Sequence, residues 1–371
     1  MTGRLTFAIF AHSWTSDWNH GNAHFLRGLA HELMNLGHRV RCYEQVNSWS
    51  RANLQAEGWG IGDWALQQFR STFPNLDVRY YNFDERFAAH ALTELKDVDI
   101  VIVHEWNQPE LVNTIAALKS QLGFVALFHD THHRAYTEPE QILKCKLSDF
   151  DGVLAFGDAI RRIYTEGFGV ARAWTFHEAA DTAHFQPISA RKNTDVVWVG
   201  NWGDEERTRE LEEFLIGPAS RLRLRFAVHG VRYPNSAQAR LSAAGIEYRG
   251  YLPNLQSPQV YAQSMITLHV PRRFYTNGLS GVPTIRVFEA LACGIPLLCS
   301  PWCDTEGLFR AGSDYECVPD GQAMGSEIRR LLTDDKAREQ MSAYGLETIR
   351  KRHTCAHRAQ ELLEICEELG K

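Results

Sequence analysis

The residues with the most chemistry to offer are gathered in short loops. The densest runs through His12, Ser13, Trp14, Thr15, Ser16, Asp17, Trp18, Asn19, His20, Gly21, Asn22 and Ala23 to His24. A glycine at a strand-to-helix turn lets backbone N–H groups face an incoming anion, and the helix N-terminus adds a favourable dipole. Gly21 and Asn22 are therefore candidates for a phosphate contact. Asp17 and His24 are candidates for proton transfer, and Trp14 and Trp18 suit stacking on a sugar ring or a flat acceptor. An ordinary helix-start turn would account for the glycine alone, but three histidines, two tryptophans and an aspartate are more than a turn needs. Two further loops follow apolar runs: His104-Glu105-Trp106-Asn107, with His104 and Trp106 as candidates for ligand contacts, and His129-Asp130-Thr131-His132-His133-Arg134, with His129 and Asp130 as acid–base candidates. The His/Asp spacing matches no metal motif and no closing ligand is apparent, so no metal is expected.

The second half repeats the theme with basic residues. Val199-Gly200-Asn201-Trp202-Gly203 closes an apolar run, and Arg207 follows near a helix start. Gly200 and Asn201 would border a donor, and Arg207 could hold a diphosphate bidentately, although a solvated helix arginine fits the same position. Pro271-Arg272-Arg273 adds Arg272. The run Arg286 to Pro296 then puts Glu289 on an otherwise apolar helix closed by Gly294-Ile295-Pro296. A carboxylate there is costly without a partner. A pair of ribose hydroxyls would serve, and so would a structural salt bridge.

Parallel strands must position these loops. Apolar, β-branched runs at Leu5–Ala11, Arg39–Tyr43, Asp99–Val103, Phe124–Phe128, Gly152–Phe156 and Ala173–Phe176 alternate with helical periodicity at Ala23–Leu36 and Glu110–Leu122. That alternation predicts a parallel sheet covered on both faces. A polar stretch, Thr182–Asn193 with Pro187, reads as a linker. The pattern then restarts with strands at Val196–Val199, Leu224–Val228, Ile246–Arg249, Met265–Val270, Pro296–Cys299 and Tyr315–Val318, and a helix over Arg209–Phe214. The chain from Asp334 reads as helical, with a turn at Arg352-His353-Thr354. The predicted domains are 1–182, 183–345 and a terminal helix at 346–371 that packs back on the first. Ligands of such sheets bind at the carboxyl ends of the strands, and a cleft between two of them suits a two-substrate reaction.

The bulk figures agree. A chain of 371 residues exceeds what one core usually serves. A formal net charge of -6 argues against nucleic-acid partners. No apolar run is long enough for a transmembrane segment, the N-terminus reads as a first strand rather than a signal peptide, and eight scattered cysteines suit a cytoplasmic protein. No G-x-G-x-x-G follows a strand, which sets aside a nicotinamide-dependent oxidoreductase.

The run Arg286-Val287-Phe288-Glu289-Ala290-Leu291-Ala292-Cys293-Gly294-Ile295-Pro296 resembles the donor-site signature of GT-B glycosyltransferases, in particular the CgeB-like, spore-maturation-type group related to family 4. Three segments agree: Gly21-Asn22-Ala23-His24 through Gly37-His38-Arg39-Val40, the turn Arg249-Gly250-Tyr251-Leu252, and His353-Thr354 with Arg358. The resemblance implies two Rossmann-like domains facing each other across a cleft. The nucleotide-sugar donor (UDP-, GDP- or dTDP-linked) would lie on the second and a small-molecule, glycan or protein acceptor on the first. It implies Glu289 on the ribose, Arg207 on the diphosphate, Gly21 and Asn22 on the distal phosphate, Tyr251 and Leu252 against the base, and Arg286 within the donor site. The activity implied is a metal-independent, retaining hexosyl transfer with no cofactor beyond the nucleotide-sugar co-substrate. One departure stands out: where family 4 carries a glutamate eight residues before the position of Glu289, this chain has Gly281. The alternatives are a nucleotide-sugar 2-epimerase of the same fold, which turns over donor without acceptor, and a non-catalytic sugar-binding protein.

Overall fold

The computed structural model describes residues 3–203 and 205–371. The chain divides into two compact units, one of Met1–Glu178 with Cys355–Lys371, the other of Ala179–Thr354. The first division falls four residues before the predicted one. The second falls between the helix Asp335–Arg352 and the helix Cys355–Glu368, so the early part of 346–371 belongs to the second unit.

In the first unit seven parallel strands, β1 (Thr6–Phe10), β2 (Arg39–Gln45), β3 (Asp77–Tyr81), β4 (Ile100–His104), β5 (Val125–Asp130), β6 (Gly152–Ala155) and β7 (Ala173–Thr175), lie in the order 3-2-1-4-5-6-7. β1 and β4 are buried along their whole length, as strands covered on both faces must be. Strand β3 has no counterpart among the predicted strands. Its sequence, Asp-Val-Arg-Tyr-Tyr, is that of a polar edge strand buried only at Tyr81, and it carries little apolar signal. The helix Cys355–Glu368 packs against the helix Ala23–Asn35 of the same unit. Arg358 Nε donates to the His177 carbonyl at 2.9 Å, and Trp174 Nε1 donates to Glu368 at 3.0 Å.

In the second unit six parallel strands, β8 (Thr194–Val199), β9 (Phe226–His229), β10 (Ile246–Tyr248), β11 (Ser264–His269), β12 (Leu297–Cys299) and β13 (Glu316–Cys317), follow the order 10-9-8-11-12-13. Val196, Trp198, Phe226, Val228, Ile266 and Leu268 anchor its core with helix residues such as Leu215 and Ile328. Both sheets share one logic. The strand order reverses between β1 and β4 in one and between β8 and β11 in the other. Connections leave in opposite directions at these switch points and open a crevice at the carboxyl ends.

Candidate functional site

At the switch point of the second unit, β8 ends in the loop Gly200–Gly203. Gly200 N–H donates to the His229 carbonyl at 2.9 Å, and Tyr233, itself accepting from Trp198 Nε1, donates its hydroxyl to the Gly200 carbonyl at 2.8 Å. Gly230 approaches so closely that a Cβ on it would lie 2.0 Å from the Gly200 oxygen. The loops after β8, β9 and β10 are thus locked together, since Gly230 N–H also donates to the Gly250 carbonyl at 2.8 Å.

Arg207 sits on this frame, 9% exposed. Its guanidinium donates to the carbonyl of Asn201 at 2.7 Å, to the Asn201 side-chain oxygen, and to the carbonyl of Val270 at 3.3 Å, and it lies 5.1 Å from the centroid of the Trp198 ring. All of these partners are neutral. Among the described residues no carboxylate forms an ion pair with Arg207, and its Nε is buried without a partner. Burial, with Arg272 nearby, pushes its pKa down to about 9. Since arginine does not give up its proton in proteins, the shift describes a cation that lacks a counter-charge. Gly203, at φ +83°, leaves the room this side chain occupies: a Cβ there would meet Arg207 at 2.7 Å.

The other basic residues are engaged differently. Arg272 pairs with Glu206, and Arg273 with Glu210. Glu289 is fully buried on the helix Ile285–Ala292, where Arg286 pairs with one oxygen and Asn254 donates to the other at 2.9 Å. The structural partner expected as one alternative for Glu289 is thus present, while Arg286 keeps a partly exposed edge. Tyr251 and Leu252 are half-buried just past Gly250, and the position of Gly281 is a turn at φ +90°.

The switch point of the first unit is built from rings. Asn107 ties the ends of β1 and β4, donating to the carbonyls of Phe10 and His104, both at 2.8 Å. Around that tie the His12 ring lies 5.4 Å from His20, 6.2 Å from Trp49 and 6.2 Å from Trp106. His20 lies 6.2 Å from His104, and Trp106 lies 4.8 Å from His132. Asn22 donates to Thr131 Oγ1 at 2.6 Å, and the same hydroxyl meets His104 Nε2 at 2.7 Å. Burial holds His12 down to about 4 and His129 to about 3, and pushes His20 and His104 well below the usual imidazole range. All four are neutral at pH 7.

Several of the singled-out side chains turn inward. Trp14 is fully buried, and its backbone N–H, with those of Thr15 and the Ser13 hydroxyl, is taken up by the buried carboxylate of Glu44. Asp17 pairs with Arg27 at 3.1 Å, Trp18 Nε1 donates to Glu57 at 2.6 Å, and His24 is buried at the start of its helix. Asp130 accepts from the Tyr164 hydroxyl at 2.6 Å and from His132 N–H at 2.8 Å; burial raises it to about 6. His129 lies among Phe25, Phe176 and His104. Gly21, half-buried, precedes Asn22 at the N-cap position of the helix Ala23–Asn35, and the Asn22 side chain turns to Thr131 rather than to the helix amides. Glu44 was not among the sequence candidates; Thr131 stood within the candidate loop His129–Arg134, and Trp49 within Asn47–Gly62, a Trp-rich stretch whose composition suits the acceptor side. A carboxylate at the end of an apolar strand was the one signal that could have flagged Glu44. Among the described residues no three His, Cys, Asp or Glu side chains group to hold a metal ion, and no helix is long and apolar enough to cross a membrane.

Against this geometry, residues 207–364, a little under half of the chain, match the family described as glycosyl transferase-like. No curated protein matches the chain in sequence. Solved structures match its full length: a glycosyltransferase from Rickettsia africae (TM-score 0.69, 12% identity, all of both chains), Anabaena Alr3699/HepE in complex with UDP and glucose (0.67, 12%, 98% of this chain and 100% of that one), and sucrose-phosphate synthase from Thermosynechococcus elongatus (0.67, 13%, 99% of each). At such identities the likeness is one of fold, and by fold the chain is a protein of two Rossmann-like units of the GT-B type, its second unit carrying most of the glycosyl transferase-like match.

Proposed function

We propose that the protein transfers a sugar from a nucleoside-diphosphate sugar to an acceptor, with the donor diphosphate seated against Arg207. The observation that carries the reading is the buried guanidinium at the switch point of the second sheet, which meets no carboxylate among the described residues. A buried cation costs several kcal/mol unless a charge offsets it, and a diphosphate offers that charge where the fold places ligands. The family match begins at this same residue and runs through Glu289, and the HepE structure of like fold holds UDP and glucose.

Breaking the sugar–phosphate bond leaves negative charge on the diphosphate while the sugar becomes oxocarbenium-like. Arg207, with the backbone amides of Trp202 and Gly203, faces that leaving charge, and such fixed donors act most strongly where charge develops. Arg272, released from Glu206 or sharing it, would add a second cation. Glu289 is assigned here to hold the helix that carries Arg286, with a ribose contact as a further role for its remaining lone pairs. We place the transfer in the retaining class, where the leaving phosphate takes the acceptor proton. Asp17 and Asp130, the carboxylates available to an inverting base, are taken by Arg27 and by Tyr164 with His132.

Thermal unfolding with UDP, GDP, dTDP and CDP, each with and without EDTA, tests the reading. A ligand at 100 times its Kd stabilises by about 2.7 kcal/mol, so one nucleotide should raise the Tm and do so in EDTA. No shift with any of the four at millimolar concentration would sink the donor site, and a shift abolished by EDTA would sink the metal-independent part.

A further inference from the structure

At the carboxyl edge of the first sheet, Trp49 is 48% exposed and Trp106 is 40% exposed. His12 lies between them and His132 on the far side of Trp106. These four rings come from four separate segments that meet at a topological switch point, where ligands of parallel sheets bind. Two nitrogens of the same cluster, His20 Nε2 and His104 Nδ1, are buried without a hydrogen-bond partner, although native proteins satisfy such groups almost everywhere.

The charged groups nearest the cluster are engaged within the protein, four of them in two ion pairs and two carboxylates by neutral donors. Asp17 is held by Arg27, Glu57 by Trp18, Glu44 by the loop amides, and Arg134 by Glu105 at 3.0 Å. What the edge presents is a set of neutral rings, one of them, Trp106, backed by the Arg134 guanidinium 4.7 Å from its centroid, with unmet polar nitrogens behind them. The rings are tilted, at 41° for His12–Trp49, 47° for His12–Trp106 and 62° for Trp106–His132. Such tilts leave no parallel slot for a flat aromatic guest. A pyranose ring has the complementary make-up: an apolar C–H face for the indoles and hydroxyls for imidazole nitrogens.

We propose that His12, Trp49, Trp106 and His132 form an acceptor subsite for a neutral sugar ring, so that the acceptor is an uncharged carbohydrate. The assignment rests on the transferase reading for its catalytic meaning, but the subsite binds sugar by itself. Calorimetric titration without donor, using maltotriose, cellotriose and N,N′,N″-triacetylchitotriose, with trigalacturonate as the charged comparator and quercetin as the flat one, tests it. At least one neutral trisaccharide should bind, Trp106→Ala and Trp49→Ala should each weaken it 10-fold or more, and Trp106→Phe should restore most of the loss. The UDP-induced Tm shift, measured on the same samples, reports that each variant is folded, and its absence from the parent protein would count against the donor site alone. Binding of none of the neutral sugars at 10 mM, binding of only trigalacturonate or quercetin, or equal affinity in the alanine variants would each overturn the subsite.

Discussion

The two sheet edges are built to the same plan and filled with opposite chemistry. Both open at a strand-order reversal, and both fix their loops by side-chain and backbone hydrogen bonds. The edge of the first sheet engages its charges within the protein and shows mainly neutral rings. The edge of the second keeps a buried cation, Arg207, held among the described residues by carbonyl oxygens, an amide side chain and an indole face. On the function proposed above, one edge suits a ligand that forms weak contacts over an apolar face, the other an anion whose charge completes the site.

The largest expected effect treats the two units alike and sets the background for the rest. His12 and His129 in the first unit, and His229 and His269 in the second, are held by burial at about 4, 3, 4 and 3. The unfolded chain protonates these near 6.5, so their contribution is present above that pH and is lost as pH falls toward 4 or 3. Each is worth about 3–5 kcal/mol. Asp130, raised to about 6, works in the other direction, losing about 3 kcal/mol as pH rises through 6. Four groups outweigh one, so the Tm should drop steeply between pH 6.5 and 4; a Tm that is level across this range contradicts the burial of these rings.

The difference between the edges shows most sharply at Arg207. Arg207→Met should lower donor turnover by about 10²–10³-fold, the cost of losing one donor to a developing anion, and abolish the UDP-induced Tm shift. The Tm without ligand should hold or rise, because a buried charge without a counter-ion is removed. A fall in unliganded Tm would show that Arg207 is a structural residue. Arg207→Lys should restore only part of the activity, since a point charge replaces a planar fork.

Gly203→Ala sharpens the same point by geometry. At φ +83°, and with Arg207 filling the space, the new methyl should displace the guanidinium and weaken nucleotide binding by about 1–3 kcal/mol, the scale of such local strain. Unchanged UDP affinity in a calorimetric titration would separate the loop from the site. The smallest effect is expected in the first unit. Tyr164→Phe removes the hydroxyl bonded to buried Asp130 and should destabilise by about 1–3 kcal/mol at pH 7. The loss should shrink at pH 5, where Asp130 is protonated in the fold; denaturant midpoints at the two pH values check it.

How much of this was legible follows from what each signal depends on. β1, β4 and β5 were readable because strands covered on both faces must be apolar throughout, whereas β3, polar at the edge, was not. The loops at the strand ends were readable as a class, since polar residues after apolar runs fall where parallel sheets bind ligands. Their individual roles were not: Trp14 and Trp106 are the same residue type in equivalent loops, and one is core while the other is open to solvent. His12 and His20 were visible as letters in a dense loop, but Trp49, some thirty residues away, joins them only through folding.

By itself the sequence determined the two α/β units, the restart of the pattern after Asn193, and the placement of Arg207, Arg272 and Glu289 after or between the strands of the second unit. These follow from periodicity and from the cost of charge in apolar segments, both local properties. Only the tertiary structure decided that Glu289 is met by Arg286 and Asn254, that Asp17 and Asp130 are occupied by Arg27 and Tyr164, and that Arg207 meets no carboxylate among the described residues. Pairing is a matter of a few ångströms between residues far apart in the chain, and no local pattern encodes it.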